Sequence, residues 1–183
     1  MPYACGRVSV ANDIALKYGV TPRMSSVEAL KLLSNICLPK YKLAPITEAR
    51  RDEILPISGQ IVKLLDSASL VLPEDENKIV ITGSHGGLIG GDPSRALKTR
   101  AHIAIFNDAG VGIDGTGITR LPALDLMNIA AATVCCKTAR IGDATSALET
   151  GIISHANRSA ENQGARKGLR LKAWLESLPL NLN

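Results

Sequence analysis

The chain has 183 residues, of which 45% are hydrophobic, 21% charged and only 3% aromatic, and its formal net charge is +4. That length suffices for one hydrophobic core, and so few aromatic rings argue against the stacking platforms that bind single-stranded nucleic acid. Lys and Arg are scattered without a basic block, so nucleic acid is not an expected partner; no apolar run reaches the ~20 residues that cross a bilayer, so no membrane is expected either.

The opening residues, MPYACGRVSVANDI, lack a basic stretch followed by a long apolar run. No secretory leader is therefore expected, and the chain reads as cytoplasmic. Asn12 or Asp13 can cap a first turn that ends at Gly19. Ser25 or Ser26 opens a second helix, SSVEALKLLSNICL, whose Val27, Leu30, Leu33 and Cys37 recur at helical spacing. Thr47 is placed to cap a short charged helix, TEARRDEIL, stopped by Pro56. The segment 1–55 thus reads as helical and carries no chemistry of its own. It is expected to cover the sheet or to join copies of the chain into a homo-oligomer.

The pattern changes in the βα core, 56–163. Four short apolar runs, Ile61–Leu65, Ile79–Thr82, Ile103–Phe106 and Ala131–Cys135, have the unbroken apolar character of strands buried on both faces. Helical stretches lie between the last three: DPSRALKTR, with Asp92 as cap and Pro93 in the first turn, and TRLPALDLMNI. A long helix is expected over GDATSALETGIISHANRSAEN from an Asp143 cap, and an amphipathic helix over KGLRLKAWLESLPL closes the segment 164–183. The alternation predicts a single α/β domain with a mostly parallel sheet of four or slightly more strands. Cys135 and Cys136 fall on a predicted strand, where neighbouring side chains point to opposite faces, and the four cysteines read as reduced core thiols.

Ligands of such sheets bind beyond the carboxyl ends of the strands. Here every strand ends in a polar loop: Asp66–Ser69, then GSHGGLIGGD, then NDAGVGIDGTG, then KTARIGD. Together they are expected to form one cavity. His85, at a strand tip between Ser84 and two glycines, is the candidate proton carrier or oriented donor. Asp108 is the candidate to orient it or share the proton, and Ser84 to support it by a hydrogen bond. Amides near Gly86 and Gly87 can hold an oxyanion, and Arg140 can clamp a carboxylate or phosphate. Asn107, Asp66, Asp143 and Glu149 complete the candidate binding set, although Asp143 also suits a helix cap. His155 reads as a structural histidine on a helix, and His102 belongs at the far edge of the sheet.

The chain has neither a phosphate loop with its lysine nor the dinucleotide glycine fingerprint, so no cofactor is expected. Asp66, Asp108 and Asp143 lack the spacing of a metal motif, and no metal is expected. Two resemblances bear on these motifs. SHGG after one strand and NDAG after the next resemble the strand-end motifs of caspase-type cysteine peptidases. There His85 matches the catalytic histidine, while Asp108 stands where the nucleophilic cysteine belongs. The resemblance implies the sheet topology, and the aspartate removes thiol chemistry. More broadly, LLDSASL, GSHGG, FNDAGVGIDGTGI, ARIGD and ETGIISHAN are similar to an uncharacterised bacterial α/β protein family, which implies the same fold and no particular activity.

Two functions stay open. One is a small enzyme, a hydrolase of an amide or cyclic amide or else an isomerase, acting on a compact anionic metabolite. The other is a non-catalytic module that binds a small ligand or takes part in assembly.

Overall fold

A computed structural model of the protein describes residues 5–37, 45 and 47–179. Met1 to Ala4, at the start of the stretch read for a leader, and Leu180, at the end of the predicted last helix, lie outside the described residues. The chain forms two compact units, Met1–Pro45 and Ile46–Asn183.

The first unit holds helix α1 (Asp13–Lys17) and helix α2 (Ser26–Ser34). Both start where the sequence predicts. Asn12 accepts the Ala15 amide, and Ser25 and Glu28 exchange hydrogen bonds between side chains and backbone, satisfying amides the first turn leaves open. The bonds with Ser25 hold the Glu28 carboxyl below the usual carboxylate range. Only Ala29 of these two helices is buried.

The second unit is an α/β domain built on one six-stranded sheet in the order β1-β2-β3-β4-β5-β6. The four predicted strands form its centre: β2 (Ile61–Leu65), β3 (Ile79–His85), β4 (Ile103–Asn107) and β5 (Ala130–Val134), all mutually parallel. Their unbroken apolar runs serve both faces. Ile79, Ile81, Ile103 and Ile105 enter one core, and Val80, Ala104 and Phe106 enter the other. Adjacent parallel strands joined in sequence send right-handed crossovers to a single face. Val71, Ala96, Leu121 and Leu124 from those crossovers accordingly share the second core.

Two strands were read from the sequence as helix. TEARRDEIL is not a Thr47-capped helix: its residues Arg50–Ile54 form β1, antiparallel to β2 at the sheet edge. The predicted long helix after Asp143 is three elements. Helix α4 (Ala144–Thr150) ends at Gly151, β6 (Ile153–Ala156) returns antiparallel to β5, and helix α5 (Arg158–Asn162) follows. His155 therefore sits on a strand, opposite Thr133. Gly151 leaves the helix in an extended conformation, and the Ala147 carbonyl packs where a side chain on that residue would stand, so glycine fits the turn. DPSRALKTR supplies only a single 3-10 turn, Pro93–Arg95, capped by Asp92. Helix α3 (Arg120–Leu126) and helix α6 (Leu171–Glu176) lie where predicted. α6 buries Leu171, Trp174 and Leu175 against the first core. No helix among the described residues is long and apolar enough to cross a membrane.

The expectation of core thiols also changes. Cys5, Cys37 and Cys136 are exposed and Cys135 half-buried, all with free sulfurs. β5 ends at Val134, so the cysteine pair lies in a turn instead of on a strand.

Candidate functional site

Parallel pairing brings the four polar tips to one edge of the sheet, as the pattern predicts. They do not frame one common cavity; they pack on each other. Gly83, in the irregular stretch between Ile81 and His85, accepts the Gly142 amide at 2.7 Å. Asp66 Oδ1 accepts the Ala144 amide at 3.1 Å and Oδ2 the Ala49 amide at 2.9 Å. Asp66 is thus a junction between β1 and α4. Asp143 caps α4 through the Ser146 amide at 2.8 Å, and Arg140, largely in solvent, holds Asp143 at 3.0 Å.

The glycine amides are engaged too. Gly86 donates to the Asn107 carbonyl at 2.8 Å, and Gly87 donates to His85 Nδ1 at 3.1 Å. Neither is left as an oxyanion donor. Asn107, fully buried, donates to the Ala139 carbonyl and accepts the Ala109 amide. Glu149 lies elsewhere: it pairs with Lys172 at 2.8 Å beside Pro56 and Ile57, toward the turn that precedes β2, away from the tips.

His85 and Asp108 do not form the expected relay. The Asp108 carboxylate is 3% exposed, and its Oδ1 accepts the Gly110 and Cys136 amides, each at 2.9 Å. Burial alone would raise its pKa, but these bonds and the neighbouring Ser154 and Cys136 side chains outweigh burial and hold it below the usual carboxylate range. The imidazole of His85 answers to its own loop. Because Nδ1 accepts the Gly87 N–H, the neutral ring carries its proton on Nε2. His85 is exposed and lines the space between the tips.

That space is a cavity of about 450 Å³, lined by Ser67, Ser69, Ser84, Ser94 and His85 together with Arg95, Lys98 and Arg120. No carboxylate lines it among the described residues. Ser84 Oγ accepts the Ala68 amide at 2.9 Å, so it braces the wall of the cavity. Lys98 hydrogen-bonds the Ser69 carbonyl, fixing the mouth.

Arg120, absent from the candidates drawn from the sequence, is the distinctive member. Only 3% exposed, it donates from Nε to the Gly87 carbonyl at 3.0 Å and from an Nη to the Ala96 carbonyl. Its guanidinium lies 5.1 Å from the centre of the Phe106 ring. Burial pulls its pKa below the usual arginine value. No acidic side chain pairs with it among the described residues. One signal was available: Arg120 stands four residues before Leu124, on the apolar stripe of its helix.

The three aspartates weighed for a metal do not gather. Among the described residues, the donors that do converge are Asp108, Cys135 and Cys136. No family model matches the chain, and neither a curated protein nor a solved structure matches it.

Proposed function

We propose that the protein binds a compact anionic metabolite in the cavity at the β2 and β3 tips and acts on it, as a hydrolase of an amide or cyclic amide or as an isomerase. One observation carries this reading: a buried arginine with no acidic partner among the described residues faces a cavity lined by two further cations and four serines. A buried cation without a counter-charge is costly, and a bound carboxylate or phosphate supplies one to the guanidinium N–H groups that Gly87 and Ala96 do not occupy. Lys98 and Arg95 draw the anion in, and the serine hydroxyls fix its orientation. The Nε2–H of His85 donates to the oxygen or nitrogen that gains charge as the reaction proceeds, a role worth on the order of 10²- to 10⁴-fold in rate.

The second reading, a binding module without turnover, is favoured by the missing carboxylate behind His85 and by the engaged amides of Gly86 and Gly87. Thermal shifts with inorganic phosphate, acetate and small dicarboxylates separate the outcomes. Under the binding reading, an anion at ~100 times its Kd adds about 2.7 kcal/mol of stability, and Lys98→Ala removes most of that shift. Turnover of an amide or cyclic amide that falls in His85→Ala, with anion binding kept, supports the enzyme. Binding unchanged by His85→Ala without turnover supports the module, and no anion stabilisation overturns both.

We place self-association, if the chain forms a homo-oligomer, on α1 and α2. Ile14 and Leu30 stand well exposed there, at 65% and 57%. Light scattering on Leu30→Glu should then show a smaller particle than the parent chain.

A further inference from the structure

The tips of β4 and β5 hold three groups that play no part in the function proposed above. Asp108, Cys135 and Cys136 each present one potential ligand atom, and those atoms lie within 4.8 Å of one another. None of the three residues lines the His85 cavity.

The backbone produces this convergence in two steps. After β5 ends at Val134, the Cys135 carbonyl accepts the Thr138 and Ala139 amides at 2.9 and 3.0 Å, closing a turn. Inside a turn, successive side chains need not diverge as they do along a strand. Asp108 then follows the last residue of the neighbouring parallel strand, and its Oδ1 holds the Cys136 amide. The same oxygen also takes the Gly110 amide, so Oδ2 has no backbone donor among the described residues. The carboxylate is thereby anchored through Oδ1 by two amides, and one of its oxygens lies within 4.8 Å of both sulfurs.

Two sulfurs and one carboxylate oxygen are a borderline-soft donor set. Calcium and magnesium prefer oxygen alone, whereas zinc takes thiolate and carboxylate together. A tetrahedral zinc with bonds of ~2.3 Å spaces its sulfurs about 3.8 Å apart, which rotations of the two short thiol side chains can reach from the observed spread. Cys136 is exposed, so an ion has a path from solvent. We propose that Asp108, Cys135 and Cys136 bind one zinc ion, with the fourth position taken by water or by an atom of a substrate. Each sulfur loses its proton as it bonds, so two protons leave for every ion bound.

The test uses the full chain, kept reduced and freed of metal, and titrated with Zn²⁺ against a chromophoric chelator. Co²⁺ serves as the optical probe for thiolate ligation. The expected result is one ion per chain, with a sulfur-to-cobalt charge-transfer band in the near ultraviolet. Cys135→Ser and Cys136→Ser should each weaken Zn²⁺ binding by at least the ~10- to 100-fold that loss of a supporting partner costs. Asp108→Asn keeps an acceptor for both amides and should weaken binding while the fold persists by circular dichroism. A double Cys5→Ser, Cys37→Ser variant should bind as the parent does. Absence of the cobalt band, or affinity that survives Cys136→Ser but vanishes with Cys5 and Cys37, overturns the proposal.

Discussion

A methyl group placed on Gly83 would lie 2.5 Å from the Asp143 amide nitrogen and 2.6 Å from the Asp66 carbonyl oxygen. The crowding explains the glycine at that strand tip: three segments of backbone meet where a side chain has no room. Gly90, by contrast, has φ +67 and open space around its missing Cβ. Gly83→Ala is therefore expected to cost about 3 kcal/mol through overpacking against backbone that cannot yield. Gly90→Ala should cost about 1 kcal/mol, from the left-handed conformation alone. Urea denaturation checks both, with midpoints that shift while the slope stays constant. The glycines of GSHGGLIGGD were legible as special, but their purpose was not. Gly83 serves close backbone packing, the Gly86 amide is taken by the Asn107 carbonyl of the neighbouring strand, and the Gly87 amide by His85 in its own loop.

Charge misled the reading of the edge strand. TEARRDEIL looks like a solvated helix, yet polarity is equally what an exposed edge strand requires, since it discourages pairing with other chains. β1 spends those charges on its neighbours: Asp52 meets Lys63 at 2.6 Å, and Arg50 grips Asp75 with bonds of 2.7 and 2.8 Å. The Asp75 side chain is fully buried and the Arg50 side chain 25% exposed. Burial by itself raises the Asp75 pKa, but Arg50 and the Leu72 amide outweigh it, leaving the carboxyl below its usual range. A depressed folded pKa means the stabilisation is complete above the unfolded value of ~3.9 and is lost as pH falls through the folded value. Arg50→Met should cost about 3 kcal/mol at neutral pH by stranding a buried carboxylate, and should flatten the loss of stability below pH ~4. Urea melts from neutral pH down to the acid limb measure both effects; an unchanged acid slope would count against this pair as its source.

Among the described residues, both hydrophobic cores of the sheet draw on residues from Leu55 onward. The fragment 46–183 is accordingly expected to fold alone, with a single cooperative transition within a few degrees of the full chain. Trp174, the one tryptophan, is fully buried and donates its indole N–H to the Gln163 carbonyl at 2.9 Å, so its fluorescence reports that transition. A broad transition, or loss of near-ultraviolet circular dichroism, would show that residues 1–45 are needed for packing. The same scale explains Arg120. Its helix was predicted correctly, but the cavity beside it is assembled from segments as distant as Ser67 and Lys98, which no local pattern relates.

The central strands, the Asp143 cap, helix starts narrowed to Asn12 or Asp13 and to Ser25 or Ser26, and the edge of the sheet that carries the polar loops were determined by the sequence by itself. Burial on both faces demands unbroken apolar runs, and capping needs a specific side chain within a few residues; both are local requirements. Tertiary structure alone decided that His85 leans on Gly87 instead of Asp108, that Arg120 has no acidic partner among the described residues, and that Asp108 meets two cysteines. The first is a contact within one loop, which residue types alone do not reveal; the other two depend on how segments far apart in the chain are brought together, which happens only once the whole sheet has formed.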